Sequence, residues 1–166
     1  ARGDGKDYSA FHIIDIENNV QVGEYKGKLG TKEYGHLLVG IATEYNNALL
    51  VVENASIGWA TLQTIIDRGY PNLYYSPKSG EVRADSYFDQ YMDTSKMTAG
   101  FTMSSRTRPM VISKFQEYIG DKGVTFYSKR LLTEMKTFIW RNGKPEAQQG
   151  YNDDLVLSFS IGQYMR

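Results

Sequence analysis

Six residues constrain the fold most: Ala48-Leu49-Leu50-Val51-Val52-Glu53, five apolar side chains in succession closed by a carboxylate. A strand with one face in solvent alternates polar and apolar residues, whereas an unbroken apolar run of this length is the pattern of a buried, parallel, central strand. Helical patterns flank it. Thr31 stands where a helix cap belongs, before Tyr34, Leu37, Leu38, Ile41 and Tyr45 at 3.6-residue spacing, and Asn46-Asn47 closes that helix. On the other side Trp59–Arg68 carries Leu62, Ile65 and Ile66 on one face, with Gly69 as its stop.

The rest of the chain supplies hairpins and more helices. Ala10–Ile16 and Val20–Lys26 read as strands joined at Glu17-Asn18-Asn19, and Leu73-Tyr74-Tyr75 as a short strand. Residues 76–100 are polar and glycine-punctuated, an excursion in which Tyr87, Phe88, Tyr91 and Met92 can pack down. Pro109 sits in the first turn of a helix running to Ile119, where its missing N–H costs nothing. Val124-Thr125-Phe126 is a short strand, and Ser128 caps a short helix with Leu131, Leu132 and Met135. Asn142-Gly143 is a strong two-residue hairpin signal between Thr137–Trp140 and Glu146–Gln148. Asp153–Arg166 is a helix with Leu155, Val156, Phe159 and Tyr164 inward. Hairpins followed by helix–strand alternation predict one α/β domain with a mixed sheet and helices on its faces.

Composition narrows the chemistry. The 166 residues suffice for one hydrophobic core. Nineteen Lys and Arg balance nineteen Asp and Glu, so a strongly basic nucleic-acid binder is excluded, though a local basic groove is not. With no Cys there is no disulfide, thiolate metal site or cysteine nucleophile. No apolar run approaches the roughly 18 to 20 residues of a membrane span, and no secretory leader opens the chain. The expectation is a soluble intracellular domain without a membrane partner.

Three places hold carboxylates that packing does not ask for. Glu53 ends the apolar strand, where ligands of open α/β sheets gather, although a strand emerging into solvent would look the same. Asp153-Asp154 precedes a helix, and capping with the helix dipole accounts for one of the two. Asp4 and Asp7 lie in a glycine-rich turn, which suits ordinary turn chemistry. Brought together, such carboxylates repel unless cations neutralise them, and they are hard oxygen ligands for Mg²⁺ or Mn²⁺. That combination supports two-metal phosphodiester chemistry. Gly3-Asp4-Gly5-Lys6 lacks the spacing of a phosphate loop. His12 reads as structural and His36 as a packing or surface residue. Arg106, Arg108 and Lys114, then Lys129, Arg130, Lys136, Arg141 and Lys144, are either a solvated surface or phosphate contacts that position a duplex without reading its sequence.

The motifs together resemble a known family. Ala1-Arg2-Gly3-Asp4-Gly5-Lys6-Asp7-Tyr8-Ser9 followed by Phe11-His12-Ile13-Ile14-Asp15 is similar to the start of the nuclease domain of large terminase subunits from T4-like tailed bacteriophages. Leu50-Val51-Val52-Glu53-Asn54-Ala55, Gly69-Tyr70-Pro71-Asn72-Leu73-Tyr74-Tyr75, Thr107-Arg108-Pro109, Asn142-Gly143-Lys144-Pro145-Glu146-Ala147 and Gly150-Tyr151-Asn152-Asp153-Asp154-Leu155-Val156 continue the resemblance in the family's order. It implies an RNase H-like mixed central β-sheet flanked by helices, separate from the family's ATPase domain. It also implies an Mg²⁺- or Mn²⁺-dependent endonuclease that cuts concatemeric double-stranded DNA during packaging, with low sequence specificity. Carried over by motif, the second catalytic carboxylate is Glu53, the third is Asp153 or Asp154, and Asp7 is a further acidic metal position. The family's first catalytic Asp lies on a strand ahead of the Ala1-Arg2-Gly3 turn. That strand and its Asp are therefore expected to be missing from Ala1–Arg166, with weakened or absent cleavage.

The implied partners are duplex DNA, the terminase ATPase domain, the small terminase subunit and the portal protein. The implied location is the host cytoplasm, transiently at the portal vertex of the prohead. Two other readings keep the fold: an inert DNA-binding or motor-docking module, and another RNase H-like nuclease such as a Holliday-junction resolvase or an integrase relative.

Overall fold

A computed structural model describes residues 8–55, 57–77 and 97–166. Asp4, Asp7 and the predicted packing of Tyr87, Phe88, Tyr91 and Met92 lie outside the described residues. The chain divides into two compact units: residues 29–77 and 97–103 belong to one, residues 8–28 and 104–166 to the other. Among the described residues the strands form three antiparallel pairs, and parallel pairing occurs as isolated bridges. The architecture is mixed α/β, and no helix is long and apolar enough to cross a membrane among the described residues.

In the first unit, α1 (Thr31–Glu44) packs on α2 (Gly58–Asp67). Thr31 is the first helical residue and not the cap: Gly30 occupies the cap position with no side-chain bond. The buried face of α1 is Gly35, Leu38, Val39 and Ala42, so small residues set it rather than Tyr45, which is exposed. A Cβ on Gly35 would lie 2.8 Å from Thr64 Cβ and 3.1 Å from the Thr61 carbonyl, which is why the helices approach closely there. Leu62 and Ile65 of α2 are fully buried, whereas Ile66 faces solvent. The Ala48–Glu53 run is half-exposed rather than buried, with Leu49 exposed. Its pairing is parallel: Leu50 bridges Leu73, and Glu53 bridges Phe101. Beyond it, β3 (Tyr75–Pro77) pairs antiparallel with β4 (Met97–Ala99).

In the second unit, β1 (Ser9–Asp15) and β2 (Val20–Gly27) form an antiparallel hairpin with a bulge between Ile13 and Ile14. Asp15 builds the turn, accepting from the amide of Glu17 at 3.0 Å and from the Asn18 side chain at 2.7 Å, and Asn19 takes the left-handed conformation at φ 51°. Val20 extends the pairing through a parallel bridge to Thr125. Three helices follow: α3 (Thr107–Gly120), α4 (Lys129–Thr137) and α5 (Asp154–Tyr164). Ser128 caps α4 as its sequence predicts, its hydroxyl accepting from Leu131 N at 2.9 Å. The hairpin of β5 (Phe138–Arg141) and β6 (Lys144–Ala147) turns at Asn142-Gly143, both at positive φ.

The core of this unit is Ile112, Phe115, Leu131, Leu155, Val156 and Phe159. Phe159 is its hub, meeting the rings of His12, Phe115 and Phe126 edge-on at 4.9, 5.3 and 5.9 Å. His12 Nε2 donates to the Leu155 carbonyl at 3.0 Å, which leaves Nδ1 to accept from Gln21 Nε2 at 2.7 Å. The Gln21 oxygen in turn accepts from the amides of Tyr127 and Ser128. Every member has one compatible role, and that requires a neutral ring.

Two stability predictions follow from these packings. Burial lowers the His12 pKa from 6.5 to about 4, so the folded state binds fewer protons than the unfolded chain between those values. The stability from a neutral His12 is full above pH 6.5 and is lost towards pH 4, a difference of about 3 kcal/mol. Urea unfolding at stepped pH should show a steeper acid loss in the native chain than in His12→Gln; parallel profiles would refute the assignment. Gly100 has φ +81°, and a Cβ there would lie 2.5 Å from the Val52 carbonyl. Gly100→Ala should destabilise the first unit by about 2 kcal/mol or more in the same assay.

Candidate functional site

Glu53 owes its place to the backbone around it. Phe101 N donates to the Val52 carbonyl at 2.7 Å and Asn54 N to the Phe101 carbonyl at 3.0 Å, which fixes the chain on both sides of Glu53. The buried Asn54 amide reinforces this, donating to the Ala99 carbonyl and the Thr102 hydroxyl at 3.0 and 2.9 Å. The chain then folds back so tightly that a Cβ on Gly58 would sit 1.9 Å from the Glu53 carbonyl oxygen. Only glycine allows that turn without rearrangement. Glu53 is thus a half-buried residue at the end of its bridged run, a short turn ahead of α2.

The Asp153–Asp154 pair belongs to the second unit, and its environment departs from the capping explanation. Asp153 occupies the cap position of α5 but makes no side-chain cap bond. Its Oδ2 instead accepts from Arg108 Nη2 at 2.7 Å, and Arg108 is steadied by Nε donating to the Pro145 carbonyl at 2.8 Å. The Asp154 carboxylate lies 3.5 Å from Lys26 Nζ. Burial pushes its pKa above the ordinary carboxylate value; Lys26 pulls it down, while Glu134 and Asp153 push it further up. Two adjacent acids are therefore each matched by one cationic side chain.

The amides that an Asp cap would have taken are held from outside the helix. Glu134 Oε2, from α4, accepts from Leu155 N at 2.8 Å and Val156 N at 3.2 Å. Its other oxygen pairs with Lys26; Glu134 is buried and Lys26 is mostly covered. Lys26 also lies over the Tyr8 ring at 4.8 Å, as Lys28 does at 5.1 Å. Neither Lys26 nor Glu134 stood out in the sequence. Glu134 did carry a signal, since it shares the inward stripe of α4 with Leu131 and leads on to Phe138. A Lys at a strand end carries none.

The predicted basic residues fall into two groups. Arg108 bonds to Asp153 and the Pro145 carbonyl, Arg130 pairs with Glu24 at 2.9 Å, and Lys114 pairs with Glu117 at 3.3 Å beside the Tyr118 ring. Arg106 and Lys129 are exposed, as are Arg141 and Lys144, which face each other across the β5–β6 register. Arg141 also lies 3.5 Å from Glu146. His36 is exposed, its Nδ1 3.1 Å from Arg68 Nη1.

Asp153 and Asp154 offer the hard oxygen donors that Mg²⁺ or Mn²⁺ takes, and each is paired with one cationic side chain. Among the described residues no three His, Cys, Asp or Glu side chains come together as a ready-made cage. Asp7 lies outside the described residues.

No protein-family model matches the sequence. Among solved structures, the chain is similar to the crystal structure of the large terminase nuclease from thermophilic phage G20c with bound cobalt. The TM-score is 0.66 at 17% identity, over 98% of this chain and 77% of that one. At that identity the likeness speaks for architecture: this chain has a terminase-nuclease-like fold.

Proposed function

We propose that the chain is the single RNase H-like nuclease domain of a phage large terminase subunit, a metal-dependent endonuclease that cuts concatemeric double-stranded DNA during packaging. The observation that carries the proposal is the Asp153–Asp154 pair, two adjacent carboxylates that α5 does not use as caps. The fold likeness over 98% of the chain supports the nuclease class. The bound cobalt of that neighbour supports a divalent ion here. The ordered motifs support the T4-like branch of the family.

Glu53, Asp153, Asp154 and Asp7 are each proposed as ligands of Mg²⁺ or Mn²⁺, two ions being expected. Such ions supply an activated water and neutralise the leaving oxygen. The chain itself contributes placement. Hydrogen bonds on either side of Glu53 fix its strand end, and Arg108 restrains Asp153. Arg106, Arg108, Lys114, Lys129, Arg130, Arg141 and Lys144 are the proposed phosphate contacts, and cuts of low sequence specificity fit contacts of that kind. The partners proposed are duplex DNA, the ATPase domain, the small terminase subunit and the portal protein. The work is placed in the host cytoplasm and, transiently, at the portal vertex.

Glu53→Ala should abolish whatever Mn²⁺-dependent cleavage of linear duplex DNA the unaltered protein shows. Circular dichroism should show an unchanged fold, and full cleavage by the variant would sink the assignment. Binding to long duplex DNA without divalent ions tests the basic surface separately. Replacing Arg141 and Lys144 with Ser should reduce the slope of log affinity against log salt by about 2, since each phosphate contact contributes about 0.9. An unchanged slope would remove the β5–β6 tip from the interface. Binding without any metal-dependent cleavage would instead favour an inert docking module.

A further inference from the structure

The cap position of α5 holds an Asp, the residue type that best satisfies the first amides of a helix with its own side chain. Those amides, Leu155 N and Val156 N, are instead taken by Glu134 Oε2 from another helix. The arrangement is the costlier of the two, because it buries a carboxylate and draws in Lys26, itself mostly covered, to balance it. A local Asp153 cap would need neither. With those amides taken from outside, Asp153 reaches Arg108 and Asp154 faces Lys26.

We propose that Glu134 is a positioning residue: by capping α5 from outside, it keeps the carboxylates of Asp153 and Asp154 off the helix amides and available to a divalent ion. The proposal rests on the endonuclease reading given above. Lys26 makes the cap tolerable by balancing its charge, while the oxygen of Glu134 does the positioning. Without that oxygen, Leu155 N and Val156 N would be open to the cap-position carboxylate of Asp153, the acceptor type that ordinarily takes such amides. The ligand pair would then lose one member to capping.

Two double variants of the full chain separate the cap from the charge. Lys26→Met with Glu134→Gln keeps an acceptor oxygen for the amides, and Lys26→Met with Glu134→Met removes it. Both eliminate the buried ion pair, a replacement that folds commonly tolerate. Two quantities are read: the carboxyl carbon shift of Asp153 by NMR, and Mn²⁺ affinity from the spin-resonance signal of free ion. The Gln pair should keep the native Asp153 shift. The Met pair should move that shift and bind Mn²⁺ about tenfold more weakly than the Gln pair, the usual size of a lost supporting contact behind a metal ligand. Equal Mn²⁺ affinity in two folded variants, with Asp153 unmoved in both, overturns the proposal. If the native chain binds no Mn²⁺, the metal-dependent reading fails, and the Asp153 shift alone decides the positioning claim. If the Met pair does not fold, Glu134→Gln against Glu134→Ala is read by the same two measurements with the same outcomes.

Discussion

The hydrogen bonds from Leu155 N and Val156 N to Glu134 decide the architecture of the second unit. They bind the start of α5 to α4 and draw Lys26 of β2 inward to balance the charge. They also leave the Asp153 and Asp154 side chains facing cationic partners rather than their own helix. Lone buried carboxylates are costly, and this one is tolerated because both of its oxygens are engaged. The same first turn of α5 presents the Leu155 carbonyl to His12, which joins the β1–β2 hairpin to the helix through one neutral imidazole. Below that turn, Phe159 gathers three rings around it. Acids and core are thus set by one short stretch of helix.

The first unit solves a different problem, chiefly through its backbone. Its strand end is held where a side chain would not fit: Gly58 against the Glu53 carbonyl and Gly100 against the Val52 carbonyl. Asn54 links the same segment to Ala99 and Thr102. A carboxylate at the end of such a segment has little freedom to move with its backbone, which is what a ligand position requires.

Much of this was legible in the sequence, and the misses have physical causes. Elements announced by punctuation came through well. Asn142-Gly143 made its hairpin, Ser128 made its cap, and Gly69 stopped α2 in a left-handed conformation. Faces judged by large apolar residues did less well. The inner face of α1 depends on Gly35 and Ala42, because close helix approach rewards smallness that a hydrophobicity pattern does not score. The Ala48–Glu53 run read as buried because its residues are apolar, yet among the described residues it is half-exposed. For the site, Asp153-Asp154 was visible as a pair in excess of capping needs. That neither caps was not visible, since the substitute comes from Glu134, nineteen positions ahead of Asp153. Long-range pairings such as Lys26 with Glu134 leave no periodic trace in a sequence.

Divalent-ion binding by Glu53 and by the Asp153–Asp154 pair is what we propose. Diffraction from crystals soaked in Mn²⁺, collected at the manganese edge, addresses it directly. The account predicts anomalous peaks on the carboxylate of Glu53 and on that of Asp153 or Asp154, with Asp153 displaced from Arg108 if it is a ligand. Ordered Mn²⁺ elsewhere on the chain, with these three carboxylates bare and the Arg108 and Lys26 pairings intact, would contradict it.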